Sequence, residues 1–445
     1  MTQHRIPRRF THRAIQRRSF LTTTVSAGMA GFSLPTLLAR RGQSAALGQP
    51  LPDTAVIQVW LGGGPTHFET YDPKPQAPAE YRGPFQPIST GLPGTQICEL
   101  LPRHATILDR VALLRSVEVG SSSHDTGMYI CTTGKAKKNQ PATGSYVAKI
   151  RAGQGSMPPY VHLGFPQTAN LVFVPNFKSH YLGGAFDPFY VHDDPAGDKF
   201  RVPNLQLVDG LTSDRLRDRK SLLDEVDKVQ REFTSNRAAE SIDHFTRSAF
   251  EVVSGPRARE AFDLSREQER TRQHYGMHRW GQSCLLARRL VEAGVPFVTV
   301  NFDPHSYSFD MHSNVAGGMR SAGPRMDSAI SALVEELYSR GLDKKVLLIV
   351  WGEFGRTPKI NKSSGRDHWG PVMSVLLSGG GLRVGQVIGS STSKGEVPKD
   401  RPLSPYDVLA TMYRHLGIDP RMTFLDHAGR PLRLLDDGEV ISELL

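Results

Sequence analysis

Cysteine is nearly missing from this sequence. Three residues, Cys98, Cys131 and Cys284, occur among 445, and no two of them stand in a C-x-x-C spacing. A zinc site built on thiolates is therefore excluded, as is a disulfide framework, although one disulfide can form outside the cytoplasm. Long apolar runs are missing too. Beyond the N-terminal segment no stretch reaches the roughly 18 apolar residues that a membrane-spanning helix needs. Acidic residues are absent from positions 1–46, which carry Arg5, Arg8, Arg9, Arg13, Arg17, Arg18, Arg40 and Arg41, eight of the ten excess positive charges. The rest of the chain keeps only +2, too little for the electrostatic footprint of a polyanion binder, so nucleic acid is not an expected partner. There is no internal repeat, and neither a G-x-G-x-x-G nor a Walker pattern.

The N-terminus accounts for the charge. An Arg-rich polar stretch leads into Arg17-Arg18-Ser19-Phe20-Leu21 and a mildly apolar run, Thr22 to Ala39, with Ser44-Ala45-Ala46 as a cleavage site. This is the layout of a twin-arginine export signal. It makes the twin-arginine export machinery a partner and the periplasm, or another extracytoplasmic space, the destination. Membrane contact is confined to the signal segment, should Arg40-Arg41 leave it uncleaved. Residues 1–46 read as this segment and residues 47–445 as the folded domain.

With 38% hydrophobic and 22% charged residues, that domain can bury a large core. Ala55 to Leu61, Val111 to Val117, Val295 to Phe302, Val346 to Trp351 and Val372 to Leu377 are short, mostly apolar runs, as in strands buried on both faces. Met326, Ile330, Leu333, Val334 and Leu337 recur at helical spacing up to Gly341, and Asp407 to Leu416 reads as a late helix. Alternating strands and helices predict a three-layer α/β sandwich with a mostly parallel central sheet. Residues 165–290 are loop-rich and then charged, and read as an insertion or cap. Its aromatic stretch, Tyr181 to Tyr190, suits either packing or a sugar-binding cleft.

Four polar clusters fall beside these strands, where such sheets bind ligands. They contain Glu69 and Asp72; Ser123, His124 and Thr126; Asp310 and His312; and Glu353, Arg356, Asp367 and His368. Carboxylates and imidazoles on separate strand ends are what a dication requires, because several deprotonated groups must converge from different directions. Arg356 fits either a bidentate clamp on an anionic ester or a salt bridge to Glu353 or a loop carboxylate. His274 and His278, without an intervening Glu, read as surface or packing residues. Gly379 to Gly381 reads as a tight turn.

The strings GGGPTHFETYDPKP, SSSHDTGMYICTTG, FDMHSN, WGEFGRTPKIN and GRDHWGPVMSVLLSGGGL, in this order, resemble the exported bacterial family catalogued as domain of unknown function 1501. That family is grouped with the alkaline-phosphatase-like superfamily, beside sulfatases and phosphoglycerate mutases. The resemblance covers about Ala55 to Gly417. It implies an alkaline-phosphatase-like fold and a two-metal centre with zinc, calcium, magnesium or manganese. It carries over Glu69 or Asp72 as the first carboxylate, Asp310 and His312 as an Asp/His pair, Glu353 in the Asp place of an Asp-His couple, and His368 as the last imidazole. Asp72 and Asp367 are ligands or orienters of ligands.

The departures bear on chemistry. His124 stands where the superfamily has its nucleophile, with Ser123 and Thr126 as the neighbouring hydroxyls, and imidazole there suits a metal better than an attack. Phe354 fills a histidine place and cannot coordinate, which leaves a single metal or a different two-metal geometry open beside the two-metal centre that the resemblance implies. No cysteine lies in the context that yields formylglycine, which argues against ordinary sulfatase chemistry. The expectation is a metal-dependent hydrolase of a phosphate or sulfate ester, small or carried by a polysaccharide. The alternative is a non-catalytic binding protein on the same fold.

Overall fold

The computed structural model describes residues 51–152, 157–164, 177–198, 200–202, 255–302 and 308–445. The export segment lies outside them. No helix among the described residues is long and apolar enough to cross a membrane.

One sheet is formed by β1 (Ala55–Trp60), β2 (Val111–Val117), β3 (Val161–Leu163), β4 (Phe189–Val191), β5 (Phe297–Asn301), β6 (Val346–Trp351), β7 (Met373–Gly379) and β8 (Gln386–Ile388). Their order is β8-β2-β7-β6-β1-β5-β3-β4. Every neighbouring pair is parallel except those of β7, which runs antiparallel to both β2 and β6. The helices used below are α1 (His124–Thr133), α2 (Thr143–Ile150), α3 (Arg279–Glu292), α4 (Val315–Ser339) and α5 (Pro405–His415).

The two-residue period of the strands divides the core. Val346, Leu348 and Val350 of β6 pack with Leu285 of α3 and Ile330 and Leu333 of α4. Leu347, Ile349 and Trp351 face the other way and pack with Met128 of α1, Tyr146 of α2 and Leu409 and Met412 of α5. Each fully buried side chain of this size contributes about 2 kcal/mol, so both faces of the sheet must be covered, and the result is three layers. The expected fold class is the one found.

The stretch read as a cap is corrected in its described parts. β4 adds an edge strand to the central sheet, and α3 lies in the core, with Cys284, Leu285, Leu286 and Leu290 fully buried. These elements complete the main body because β5 and α4 would otherwise expose apolar surface. The aromatic stretch packs as well: Tyr146 and Tyr181 join hydroxyls at 2.5 Å.

Parallel strands bring Trp60, Val117, Asn301 and Trp351 to one edge, and reversed β7 starts there. Gly379, Gly380 and Gly381 close its far end with φ of 69°, 65° and 67°, a left-handed run that glycine adopts without steric cost. At the site edge, α1 lies flush on the strand exits. A Cβ added to Gly127 would come within 2.5 Å of the Glu353 carbonyl oxygen.

Candidate metal centre

His124 opens α1, and its contact with the residues after β6 sets its ring. Its Nδ1 lies 2.6 Å from Glu353 Oε1, which also accepts from the Gly63 N–H at 2.9 Å. A carboxylate can only accept, so Nδ1 carries a proton. The other nitrogen, Nε2, faces Asp310 Oδ2 at 3.3 Å.

His312 and His368 repeat the arrangement. His312 donates Nδ1–H to Asp367 Oδ1 at 2.7 Å, and His368 donates Nδ1–H to the Ser122 carbonyl at 3.1 Å. Their Nε2 atoms lie 2.9 and 3.1 Å from Asp310 Oδ1 and 2.9 Å from each other. Two N–H groups cannot face one another at that distance, and two bare lone pairs beside a carboxylate repel. A proton shared between the two nitrogens or a shared cation removes the conflict. Ligand atoms held about 2.0–2.2 Å from one ion lie about 3 Å or more apart, close to the spacing seen. The ionisable groups of His124, Asp310 and His368 fall within 4.8 Å of one another, as a set that could hold a metal ion. The residues present therefore fit a divalent metal. Two imidazoles and a carboxylate in that set, with His312 Nε2 beside His368 and Asp310, suit zinc or another transition ion better than calcium or magnesium. His124, Asp310, His368 and His312 keep 16, 22, 26 and 46% of their side-chain exposure, so the set opens to solvent on the His312 side.

Electrostatics reflect this crowding of acceptors. Burial of the His124 ring disfavours its charged form, but the hydrogen bonds and charges of Asp310 and Glu353 together push its pKa up to about 9. Burial also opposes ionisation of Asp310, yet His124, His368 and Arg356 hold its carboxyl far below the usual carboxylate range. A dication would displace the proton from His124 Nε2.

Not every expected residue joins the set. Glu69 is 1% exposed and is spent on Arg366, with Nε at 2.9 Å and Nη2 at 2.8 Å, and it accepts from Thr66 Oγ1 as well. Asp72 pairs with Lys74 at 3.0 Å and Arg115 at 3.6 Å and accepts from Ser391 Oγ. Neither has a carboxylate directed to the histidines, which corrects the first-strand assignment. Glu353 and Asp367 reach the set only through His124 and His312. Arg356 is 1% exposed; it donates to the Gly63, Gly64 and Arg366 carbonyls and to Asp310, so the loop salt bridge, not the ester clamp, is the arrangement found. Ser123 sits at the N-cap of α1 without a capping side-chain bond, and Thr126 is half-buried in its first turn.

Sequence reasoning missed Arg366 and Asn361, and it named Phe354 only as a residue that cannot coordinate. Arg366 ties the loop before His368 to Glu69 and to the Tyr81 carbonyl. Asn361 donates to Asp367 Oδ1 at 3.1 Å and to the His312 carbonyl at 2.9 Å. Phe354 is packed against the rings of His124 and His368, with centroids 4.9 and 4.7 Å away. Only the Gly-Arg-Asp-His string hinted at the first.

The chain belongs to the family described as protein of unknown function DUF1501, which it matches over residues 53–445. No curated protein matches its sequence. Among solved structures it is similar to the PsFucS1 sulfatase from Pseudoalteromonas sp., at 12% identity and a TM-score of 0.38, covering 86% of this chain and 70% of that one. It is also similar to the lipoteichoic acid synthase LtaP from Listeria monocytogenes, at 9% identity and 0.36, covering 85 and 78%. A third is the phosphonate monoester hydrolase SpPMH from Silicibacter pomeroyi, at 11% identity and 0.34, covering 83 and 74%.

Proposed function

We propose that this protein is a metal-dependent hydrolase of the cell envelope, exported by the twin-arginine route, that cleaves a phosphate or sulfate ester of a small molecule or polysaccharide. One observation carries the reading: three imidazoles commit Nδ1 to oxygen acceptors and turn Nε2 onto the Asp310 carboxylate. His124, His312, His368 and Asp310 would hold the ion. When bound, it would supply Lewis-acid polarisation of an ester oxygen.

The chain's own groups do the rest. Glu353 fixes the His124 tautomer, Asp367 with Asn361 fixes His312, and the Ser122 carbonyl fixes His368, as ligating imidazoles require. Arg356 pins Asp310. The first turn of α1 begins at His124, and a helix N-terminus favours negative charge, which suits an anionic ester. Ser123 supplies the hydroxyl next to that turn.

One observation favours the non-catalytic alternative: among the described residues no base is hydrogen-bonded to the Ser123 hydroxyl. The test is elemental analysis of protein exported and folded in its own host, with turnover of aryl phosphates and aryl sulfates. Metal with turnover supports the hydrolase, metal without turnover supports the binding protein, and absence of metal contradicts both forms of the centre.

A further inference from the structure

We infer that the centre takes a single metal ion, and that Phe354 and Arg356 fill the space and charge a second would need; this rests on the metal-centre reading above. Paired catalytic ions sit about 4 Å apart, so a second ion needs ligands of its own within reach of the first. Asp310 is the carboxylate placed to bridge. Its Oδ1, already faced by His312 and His368, also accepts from Arg356. That guanidinium cannot swing away, because it is 1% exposed and donates to three backbone carbonyls besides.

Phe354 closes the space beside it. The side chain is fully buried, with its ring against both His124 and His368. Strand exit and helix clamp it: a Cβ on Gly64 would lie 2.5 Å from Phe354 Cδ2, and one on Gly127 would lie 3.2 Å from Cδ1. The Arg356 Cζ lies 5.6 Å from the ring centroid. An apolar ring is thus wedged where further ligands would have to stand.

Donors and charge agree. Glu69 and Asp72 are bound to cations elsewhere, and among the described residues one set of three or more ionisable donors converges. Glu353 Oε2 is buried without a hydrogen-bond partner, but the set that converges is His124, Asp310 and His368 and does not include Glu353. The carboxylates of Asp310, Glu353 and Asp367, less the Arg356 guanidinium, leave two negative charges. One dication neutralises them. A second would leave uncompensated positive charge against Arg356 in a partly buried site, which Coulomb repulsion disfavours.

The experiment is equilibrium dialysis of chelator-stripped protein against Zn²⁺, with bound metal counted by elemental analysis. The wild-type protein is expected to bind about one ion per chain. Phe354→His, checked for folding by circular dichroism, is expected to take up a second, weaker ion, because it exchanges the wedge for an imidazole. Two ions in the wild type overturn this inference alone. A folded Phe354→His still limited to one ion overturns the role given to Phe354. No bound ion overturns the inference together with the reading beneath it.

Discussion

The Nε2 atoms of His312 and His368 lie 2.9 Å apart, although each ring commits its Nδ1 proton to an oxygen, Asp367 Oδ1 for one and the Ser122 carbonyl for the other. Paired imidazoles held this way have their lone pairs aimed at one point. Four chain segments converge to hold them there, from the exits of β2, β5 and β6 and the approach to β7. Local sequence does not make such an arrangement by accident of packing, because close unshared lone pairs cost free energy that only a proton or a cation repays.

The roles of His124 and Ser123 separate cleanly. His124→Ala removes a ligand atom and is expected to lower metal affinity at least about 10-fold, the low end seen even for partners of ligands. Ser123→Ala should leave metal content unchanged. Elemental analysis and aryl-ester turnover on both variants check this. Loss of turnover with metal retained in Ser123→Ala, and no change in His124→Ala, would reverse the assignment and make Ser123 the nucleophile.

Asp367 acts through His312. Its side chain is half-exposed at 52%, so Asp367→Ala should cost little stability. Metal affinity should nevertheless fall about 10- to 100-fold, because the His312 ring loses its orienting acceptor. Chelator competition measures the affinity and urea titration the stability. Equal affinity in wild type and variant would show that His312 is not a ligand.

Glu69 is assigned to structure instead of metal. Glu69→Ala leaves the Arg366 guanidinium, which is fully buried, without its carboxylate. Breaking such a pair costs about 3–5 kcal/mol. Stability should fall by that order while the folded fraction keeps the wild-type metal content. Metal loss without destabilisation would restore Glu69 to the ligand set.

What the sequence made legible follows physical reach. β2 runs from Val111 to Val117 as expected, because a strand buried on both faces is mostly apolar, and here Val111 to Leu114 and Val117 carry the signal although Arg115 and Ser116 interrupt it. The direction of β7 was illegible, since an apolar run reads the same either way. The helix expected from Met326 begins at Val315. Gly317, Gly318, Gly323 and Pro324 hide its first half, and Gly323 is small because a Cβ there would approach Leu100 Cβ at 3.0 Å. β3 and β4, of three residues each, are too short to show a period. In the site, histidines and carboxylates announced themselves by type, but the partner of each carboxylate did not. Glu69 meets Arg366 across 297 positions, and nothing local distinguishes it from a ligand.

Acid should weaken the fold through His67. The ring is 1% exposed. Burial, helped by the charges of Arg366 and Lys74, outweighs Asp72 and the Gly395 carbonyl and brings its pKa down from 6.5 to about 4. The unfolded chain therefore takes up this proton near pH 6.5, before the folded one does. Stability is full above that pH and is lost as pH falls toward 4. Between pH 7 and 5 the loss is about 2 kcal/mol for this residue. Urea titrations of wild type and His67→Gln at both pH values check it: the wild type should lose about that much more than the variant, and equal losses would contradict the assignment.

The most direct measurement is a crystal structure of the exported protein with anomalous diffraction collected on both sides of a transition-metal absorption edge. The account expects one anomalous peak within about 2.2 Å of the Nε2 atoms of His124 and His368 and of an Asp310 carboxylate oxygen. A fully occupied peak beside Glu69 or Asp72, or no peak among these histidines in protein shown by elemental analysis to carry metal, would contradict it.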